Sequence, residues 1–137
     1  MFDKKIFLPE QFIFTINIPV RIYDVNYGNH LGHDSLVSLL HEARMAFLKK
    51  HHFSEANDGF GLIMSSLYVL YKSQAFYGDI LEISIGVDAV TRTSFHMVYV
   101  VNKNKIEVAR AHTKMVCFDY KTQKVMKIPD DLLKIFI

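Results

Sequence analysis

One stretch of this chain carries a clear helical period, while residues 12–23, 80–90 and 106–119 alternate with a period of two. Residues 61–76, ambiguous by period, favour a strand by their β-branched and aromatic content. From residue 34 to about residue 52, Leu36, Leu39, Leu40, Ala43, Ala46 and Phe47 recur at i, i+3, i+4 and i+7 spacing, so one helix face is apolar. Asp34 or Ser35 is placed to cap its first turn, since a short side-chain oxygen there accepts from free backbone N–H groups. Five segments read as strands: residues 12–23, 61–76, 80–90, 94–102 and 106–119. One helix covers one face of a curled sheet. The expectation is an α+β chain: an antiparallel sheet of about five strands wrapped around one long central helix. Pro129 then opens a short C-terminal helix over residues 129–136.

The alternation assigns faces. Leu81, Ile83, Ile85, Val87 and Ala89 point one way, with Glu82, Ser84, Gly86 and Asp88 opposite. Ala109, Ala111, Thr113, Met115 and Cys117 form a small-residue face over which a helix can approach closely, so the long helix is placed there. Pro19 cannot donate a ladder hydrogen bond, which makes the first strand an edge or a bend. An exposed edge invites a second chain, and the polar opposite face is expected to be wet or partnered. Turns are expected at Asn57-Asp58-Gly59, Tyr77-Gly78-Asp79 and Lys103 to Lys105.

The 137 residues argue for a single domain, residues 1–137. A formal net charge of +2 is too small to imply nucleic acid or a membrane surface as partner. The lone Cys117 allows no intrachain disulfide and fits a reducing cytoplasm; it lies in a strand-like run, as a buried, inert thiol would. MFDKKIFLPE lacks the apolar core of a signal peptide, and no apolar run is long enough to span a bilayer.

The chemistry concentrates between the first strand and the helix, where Asp24, Asn26, Asn29, His30, His33 and Asp34 crowd one loop. His30 and His33 with Asp24 and Asp34 nearby could ligate a metal, but no further Cys or spaced His completes a four-ligand pattern, so none is expected. Ser35 lacks a G-x-S-x-G elbow and is better explained as a cap than as a nucleophile. Gly28 and Gly32 match no phosphate-binding loop. There remains general-base attack by water on an activated carbonyl. Asp24 or Asp34 would be the base, Asn26 or His30 would orient, and the helix N–H groups would hold the oxyanion. The opposing reading is a loop whose side chains merely satisfy strand and helix ends.

The run R-I-Y-D-V-N-Y-G-N-H-L-G-H-D, followed by L-L-H-E-A-R, resembles the hotdog-fold acyl thioesterases of the 4-hydroxybenzoyl-CoA thioesterase class. Their pattern is roughly R-x-x-D-x-D-x-x-G-H-V-N-N, then a helix carrying E-A-R. Tyr77-Gly78-Asp79 matches the family's Y-G-D turn, and Val108-Ala109-Arg110-Ala111 resembles its v-A-x-a strand. The resemblance runs from Arg21 to Pro129 and implies the hotdog fold. It also implies hydrolysis of acyl-CoA or acyl-carrier-protein thioesters, with coenzyme A only as part of the substrate and no cofactor. A homodimer or dimer of dimers follows, with the site between subunits.

By position, Asp24 would be the leading carboxylate, Asn26 would hold water or the carbonyl, and His30 would support the loop. Asp34 is the alternative base. The amides near His33 to Ser35 would polarise the carbonyl, and Arg92, Thr93 and Ser94 would line the pantetheine or nucleotide path. Glu42-Ala43-Arg44 matches E-A-R and is assigned a structural part. Asn26 departs from the family where many members carry a second Asp; a carboxamide can orient water but not take its proton. That departure leaves a second reading open, an acyl-thioester binding or sensing protein that does not turn over.

Overall fold

The computed structural model describes residues 4–54, 56–57 and 59–136. Strand β1 is Phe14–Pro19, helix α1 His33–Lys50, β2 Ala56–Asn57 and β3 Phe60–Tyr71. Then follow β4 (Ile80–Asp88), β5 (Ser94–Lys103), β6 (Ile106–Asp119), β7 (Lys124–Val125) and the short helix α2 (Asp130–Leu133). All pairings are antiparallel, in the order β1-β4-β5-β6-β3-β2, with β7 beside the end of β6. The five long strands are the five expected, including β3, whose segment is ambiguous by period and favours a strand by its β-branched and aromatic content. The two-residue strands β2 and β7 are too short to carry a period. A 3₁₀ turn at Lys134–Phe136 continues α2.

Each inward face follows its alternation. Leu81, Ile83 and Ile85 of β4, and Phe95, Met97, Tyr99 and Val101 of β5, are fully buried against α1. The small-residue face of β6 is buried in the same core, as a helix in close approach requires. On α1, Leu36, Leu39, Leu40, Ala43 and Phe47 are buried as expected, but Ala46 is half-buried while Arg44 and Leu48 are buried. The Arg44 guanidinium donates to Tyr99 Oη at 3.2 Å, and Tyr99 Oη bonds Thr113 Oγ1 at 2.9 Å. The polar groups beneath the helix are thereby satisfied, as burial demands.

Three local expectations need correction. The first strand ends at Pro19, and Ile22–Asp24 is a 3₁₀ turn rather than a continuation of the strand. The cap of α1 is Gly32, in extended backbone and without a side-chain bond, not Asp34 or Ser35. Those two residues lie inside the first turn. The polar outer face of the sheet is also largely covered by the lead-in segment. Arg110 donates to the Ile6 carbonyl, and Val98 and Val100 lie buried on that side. A Cβ on Gly86 would stand 2.4 Å from Pro9 Cγ, so a side chain there would push the segment off.

The turns fall where expected. Gly78 (φ +87) makes the Tyr77-Gly78-Asp79 turn, and Asn104 and Lys105 both take positive φ between β5 and β6. Gly59 has φ +81; Asp58, the centre of the expected Asn57-Asp58-Gly59 turn, lies outside the described residues. No helix among the described residues is long and apolar enough to cross a membrane. Cys117 is fully buried, and burial pushes its thiol up to about 11, which leaves it protonated and unreactive at neutral pH.

The outer face carries one defined ion-pair cluster. Glu107 accepts from Arg110 Nε and from Nη2 at 3.1 Å, with Lys72 Nζ at 3.3 Å. The Arg110 hydrogen bonds hold the Glu107 carboxyl below its usual value, against desolvation, which pulls the other way; Lys72 adds to the lowering. A folded-state value below the unfolded one stabilises the protein above the unfolded pKa, near 4.3–4.5, and that gain disappears as pH falls through the folded value. Glu107→Gln is therefore expected to lower the urea midpoint at pH 7 and to leave it unchanged at pH 3. A deficit that persists at pH 3 would place the effect in packing.

Candidate active site

The loop between β1 and α1 is a tight hairpin. Val25 and Leu31 form an isolated bridge, Asn26 N–H donates to the His30 carbonyl, and Asn29, at φ +69, turns the chain back. Leu31 N–H then donates to the Ala75 carbonyl and His30 bridges Phe76, which ties the loop to the segment after β3. Gly32 N–H donates to the Asp24 carbonyl, and α1 starts there.

The structure separates the two candidate carboxylates. Asp24 is buried, and its Oδ2 accepts from Arg21 N–H at 2.8 Å and from Arg21 Nε at 3.4 Å. It closes the 3₁₀ turn, a structural duty that occupies the carboxylate. Asp34 is exposed in the first turn of α1, with no hydrogen bond or ion pair to its carboxylate among the described residues. The N–H groups of His33, Asp34 and Ser35 precede the first helical bond, in which Leu36 N–H donates to the Gly32 carbonyl. They remain open to an incoming oxygen, as helix N-termini do.

Beside that helix end lies a cavity of about 220 Å³, lined among others by Asn26, His30, His33, Leu36, Tyr71 and Val108. Asn26 Oδ1 accepts Gly28 N–H at 2.9 Å. The carboxamide oxygen is thus engaged, and the Asn26 NH₂ is the part left to donate. His30 stands edge-on to Phe76, with ring centroids 6.4 Å apart, directly above Gly28. A Cβ on Gly28 would fall 2.7 Å from His30 Nε2, so a side chain there would push the His30 ring aside.

Tyr71 was not legible as a site residue. Its hydroxyl donates to the His33 carbonyl at 2.8 Å, pinning the end of β3 to the first turn of α1. Desolvation raises its pKa and the Asp34 charge adds to the rise, so the phenol stays neutral and Asp34 lies within its electrostatic reach. A tyrosine in a strand ordinarily reads as core, and only the fold shows it at the helix end.

Arg92, Thr93 and Ser94 do not join this loop within one chain. Ser94 pairs with Val116, whereas Val108 lines the cavity; at about 3.3 Å per residue those two positions of β6 are roughly 26 Å apart. Ser94 is buried and shares a 2.8 Å hydroxyl bond with Thr91, which closes the turn before β5. Ser35 is half-buried in the first turn of α1. Glu42 is exposed on α1. The metal arrangement considered for His30 and His33 does not form. Among the described residues the one group of three ligating side chains is Asp88, His96 and His112, on the opposite side of the sheet.

A model of the thioesterase-like superfamily matches residues 20–136. The chain belongs to that superfamily. Its family activity is thioester hydrolysis, and its fold is the expected hotdog. A 1,4-dihydroxy-2-naphthoyl-CoA hydrolase of Nostoc punctiforme is 26% identical over 127 residues, 88% of this chain and 84% of the relative. An Aquifex aeolicus protein bearing an esterase name is 29% identical over 119 residues, 85% of this chain and 91% of its own. The crystal structure of a 1,4-dihydroxy-2-naphthoyl-CoA thioesterase from Synechocystis superposes with a TM-score of 0.83 at 21% identity, covering 90% of this chain and 94% of that one. At that identity the likeness concerns the fold.

Proposed function

We propose that this thioesterase hydrolyses acyl-CoA thioesters at the N-terminus of α1, with Asp34 as general base. The observation that carries the reading is the exposed Asp34 carboxylate, without a hydrogen bond or ion pair among the described residues, in the same first turn as three open N–H groups, at the helix end next to the cavity that Asn26 and His33 line. The thioester carbonyl oxygen points at the N–H groups of His33 to Ser35, with the Asn26 NH₂ as a further donor. Asp34 takes a proton from water as the water oxygen bonds the carbonyl carbon, and the oxyanion is stabilised where the donors already stand. The C–S bond then breaks, the carbonyl re-forms, and Asp34 returns the proton to the departing thiolate. His30 and Tyr71 hold the loop and the helix start in place.

The names of the relatives make aromatic acyl-CoAs the first substrates to try. Acyl-carrier-protein thioesters present the same reacting bond and come second. The experiment is release of free thiol from a panel of short, long and aromatic acyl-CoAs, with Asp34→Asn beside the wild type. Asn26 supports the second reading, a binder without turnover: there the panel would show saturable binding of acyl-CoA and no thiol. A cytoplasmic location agrees with the free thiol of Cys117 and with this substrate class.

The working unit we infer is a homodimer joined along β3, with a dimer of dimers as its extension. The sequence pointed to β1 as the pairing edge, but β1 has six residues and β3 has twelve. Beyond Phe60 and Gly61, which pair with β2, one side of β3 has no strand neighbour, and Ile63, Met64 and Leu67 are each about two-fifths exposed. A long apolar edge in water invites another strand, here on both sides of the irregularity between Met64 and Ser66. Because β3 ends at Tyr71, pairing there would bring the second subunit to the rim of the cavity. Leu67→Lys combined with Met64→Lys is expected to shift the protein to monomer in light scattering and to reduce turnover at least tenfold. A fully active monomer would remove the dimer from the account.

A further inference from the structure

We propose that Asp88, His96 and His112 bind one divalent cation of the zinc class on the outer face of the sheet. The site is separate from the helix N-terminus and unconnected with hydrolysis there. Register brings the three together from three strands. Asp88 of β4 stands directly across from His96 of β5, and His112 of β6 lies across from Val98, one diagonal step from His96. All three point away from α1, because their neighbours Met97 and Thr113 point inward and are buried.

One ligand atom from each residue lies within 4.8 Å of the others. His96 Nδ1 and His112 Nε2 are already 2.8 Å apart, in a hydrogen bond that one ring N–H must supply. Zinc binds imidazole nitrogen and carboxylate oxygen at about 2.0–2.2 Å, which sets tetrahedral ligands roughly 3.4 Å apart. The imidazoles need open by only about 0.6 Å on that geometry, and both are half-buried with room to turn. On binding, both facing nitrogens give their lone pairs to the cation, and the proton between them moves to the other nitrogen of its own ring. Two neutral imidazoles and one carboxylate are a donor set that zinc-class cations accept.

The remaining coordination positions face open space. The trio lies on the wall of a groove of about 730 Å³ between the sheet and the lead-in segment, with Lys4, Ile6, Phe7 and Tyr68 around it. Lys4 is fixed there by its N–H to Tyr68 Oη at 2.6 Å. Its ammonium favours an anion or hydroxide as the exogenous ligand, since either would neutralise the charge of a bound cation beside it. The strands are fully paired without a metal, so the cation would occupy a finished fold rather than create one.

The test is calorimetric titration of the untagged full-length protein with zinc chloride after chelator treatment. His96→Ala, His112→Ala and, as control, His52→Asn are titrated beside it; Asn tolerates the positive φ at position 52. The expected result is one saturable site, weakened at least tenfold by either alanine and unchanged in the control. Histidine ring resonances of the wild type give a second reading that needs no variant: zinc should shift those of His96 and His112 first. Absence of saturable binding, equal affinity in the alanine variants, or shifts confined to other histidines would each overturn the site.

Discussion

Asp34→Asn is expected to lower kcat for thioester hydrolysis by about 10²–10⁴-fold, the usual loss when a positioned general base is removed. The substitution keeps the shape of the side chain and the first turn of α1, so KM and the melting temperature should hardly move. Asp24→Ala is expected to behave in the opposite way. It removes a buried acceptor of the Arg21 N–H and guanidinium, which costs about 1–3 kcal/mol of stability. Turnover per folded molecule should nonetheless stay within a few-fold of wild type. The pair of variants therefore separates the residue that does the chemistry from the one that shapes the loop. A folded Asp24→Ala protein without activity, beside an active Asp34→Asn, would reverse the two assignments.

The largest stability effect is expected at Phe47. Its side chain is fully buried on the sheet-facing side of α1, with its ring centroid 5.7 Å from Phe14 and 5.2 Å from His51. Phe47→Ala removes a core aromatic that the neighbouring strand and helix cannot fully replace. The cost is about 3–5 kcal/mol, or roughly 10–20 °C in melting temperature for a chain of this size. Calorimetry checks it. A loss below 1 kcal/mol would mean that β1 and α1 can collapse on the cavity, and that the packing between them is looser than described.

The sheet and the helix were legible in the sequence because they rest on period. The alternation of Leu81, Ile83 and Ile85, and of Ala109 through Cys117, fixes which face meets α1, and the structure keeps those faces. What period could not convey was the detail of the loop and anything set by contacts distant in sequence. Pro19 signalled an edge or bend, but not that Ile22–Asp24 would tighten into a 3₁₀ turn with Asp24 as its internal acceptor. Asp24 and Asp34 are equivalent as residue types in a polar loop; only the fold buries one and leaves the other at the helix start. Tyr71 reads as strand core, because nothing local reveals that its hydroxyl meets the His33 carbonyl. The covering of the outer face by Ile6 and Pro9 had no pattern to announce it. The contact of His96 with His112 depends on strand register, which spacing along the chain does not encode.

The family motif placed the site within the chain, and the structure distributes its residues differently from a literal reading. Asn26 Oδ1 is held by Gly28 N–H at the place where the resembled motif has its second Asp, which leaves the NH₂ to donate. A donor at that place suits an oxyanion, and under the proposed mechanism proton transfer then falls to Asp34. Arg92, Thr93 and Ser94 sit at the far end of β5 and β6 within one chain, so any part they play in substrate binding requires a second subunit.

The most direct measurement is free-thiol release by the wild type from aromatic acyl-CoAs, with Asp34→Asn and Asn26→Asp assayed in parallel. The account predicts clear wild-type turnover, near-complete loss in Asp34→Asn, and retained activity in Asn26→Asp, which puts a carboxylate into the cavity beside the helix end. Saturable acyl-CoA binding by the wild type with no thiol released across the panel, together with hydrolysis gained only by Asn26→Asp, would contradict it and establish a binding protein on a hydrolase fold.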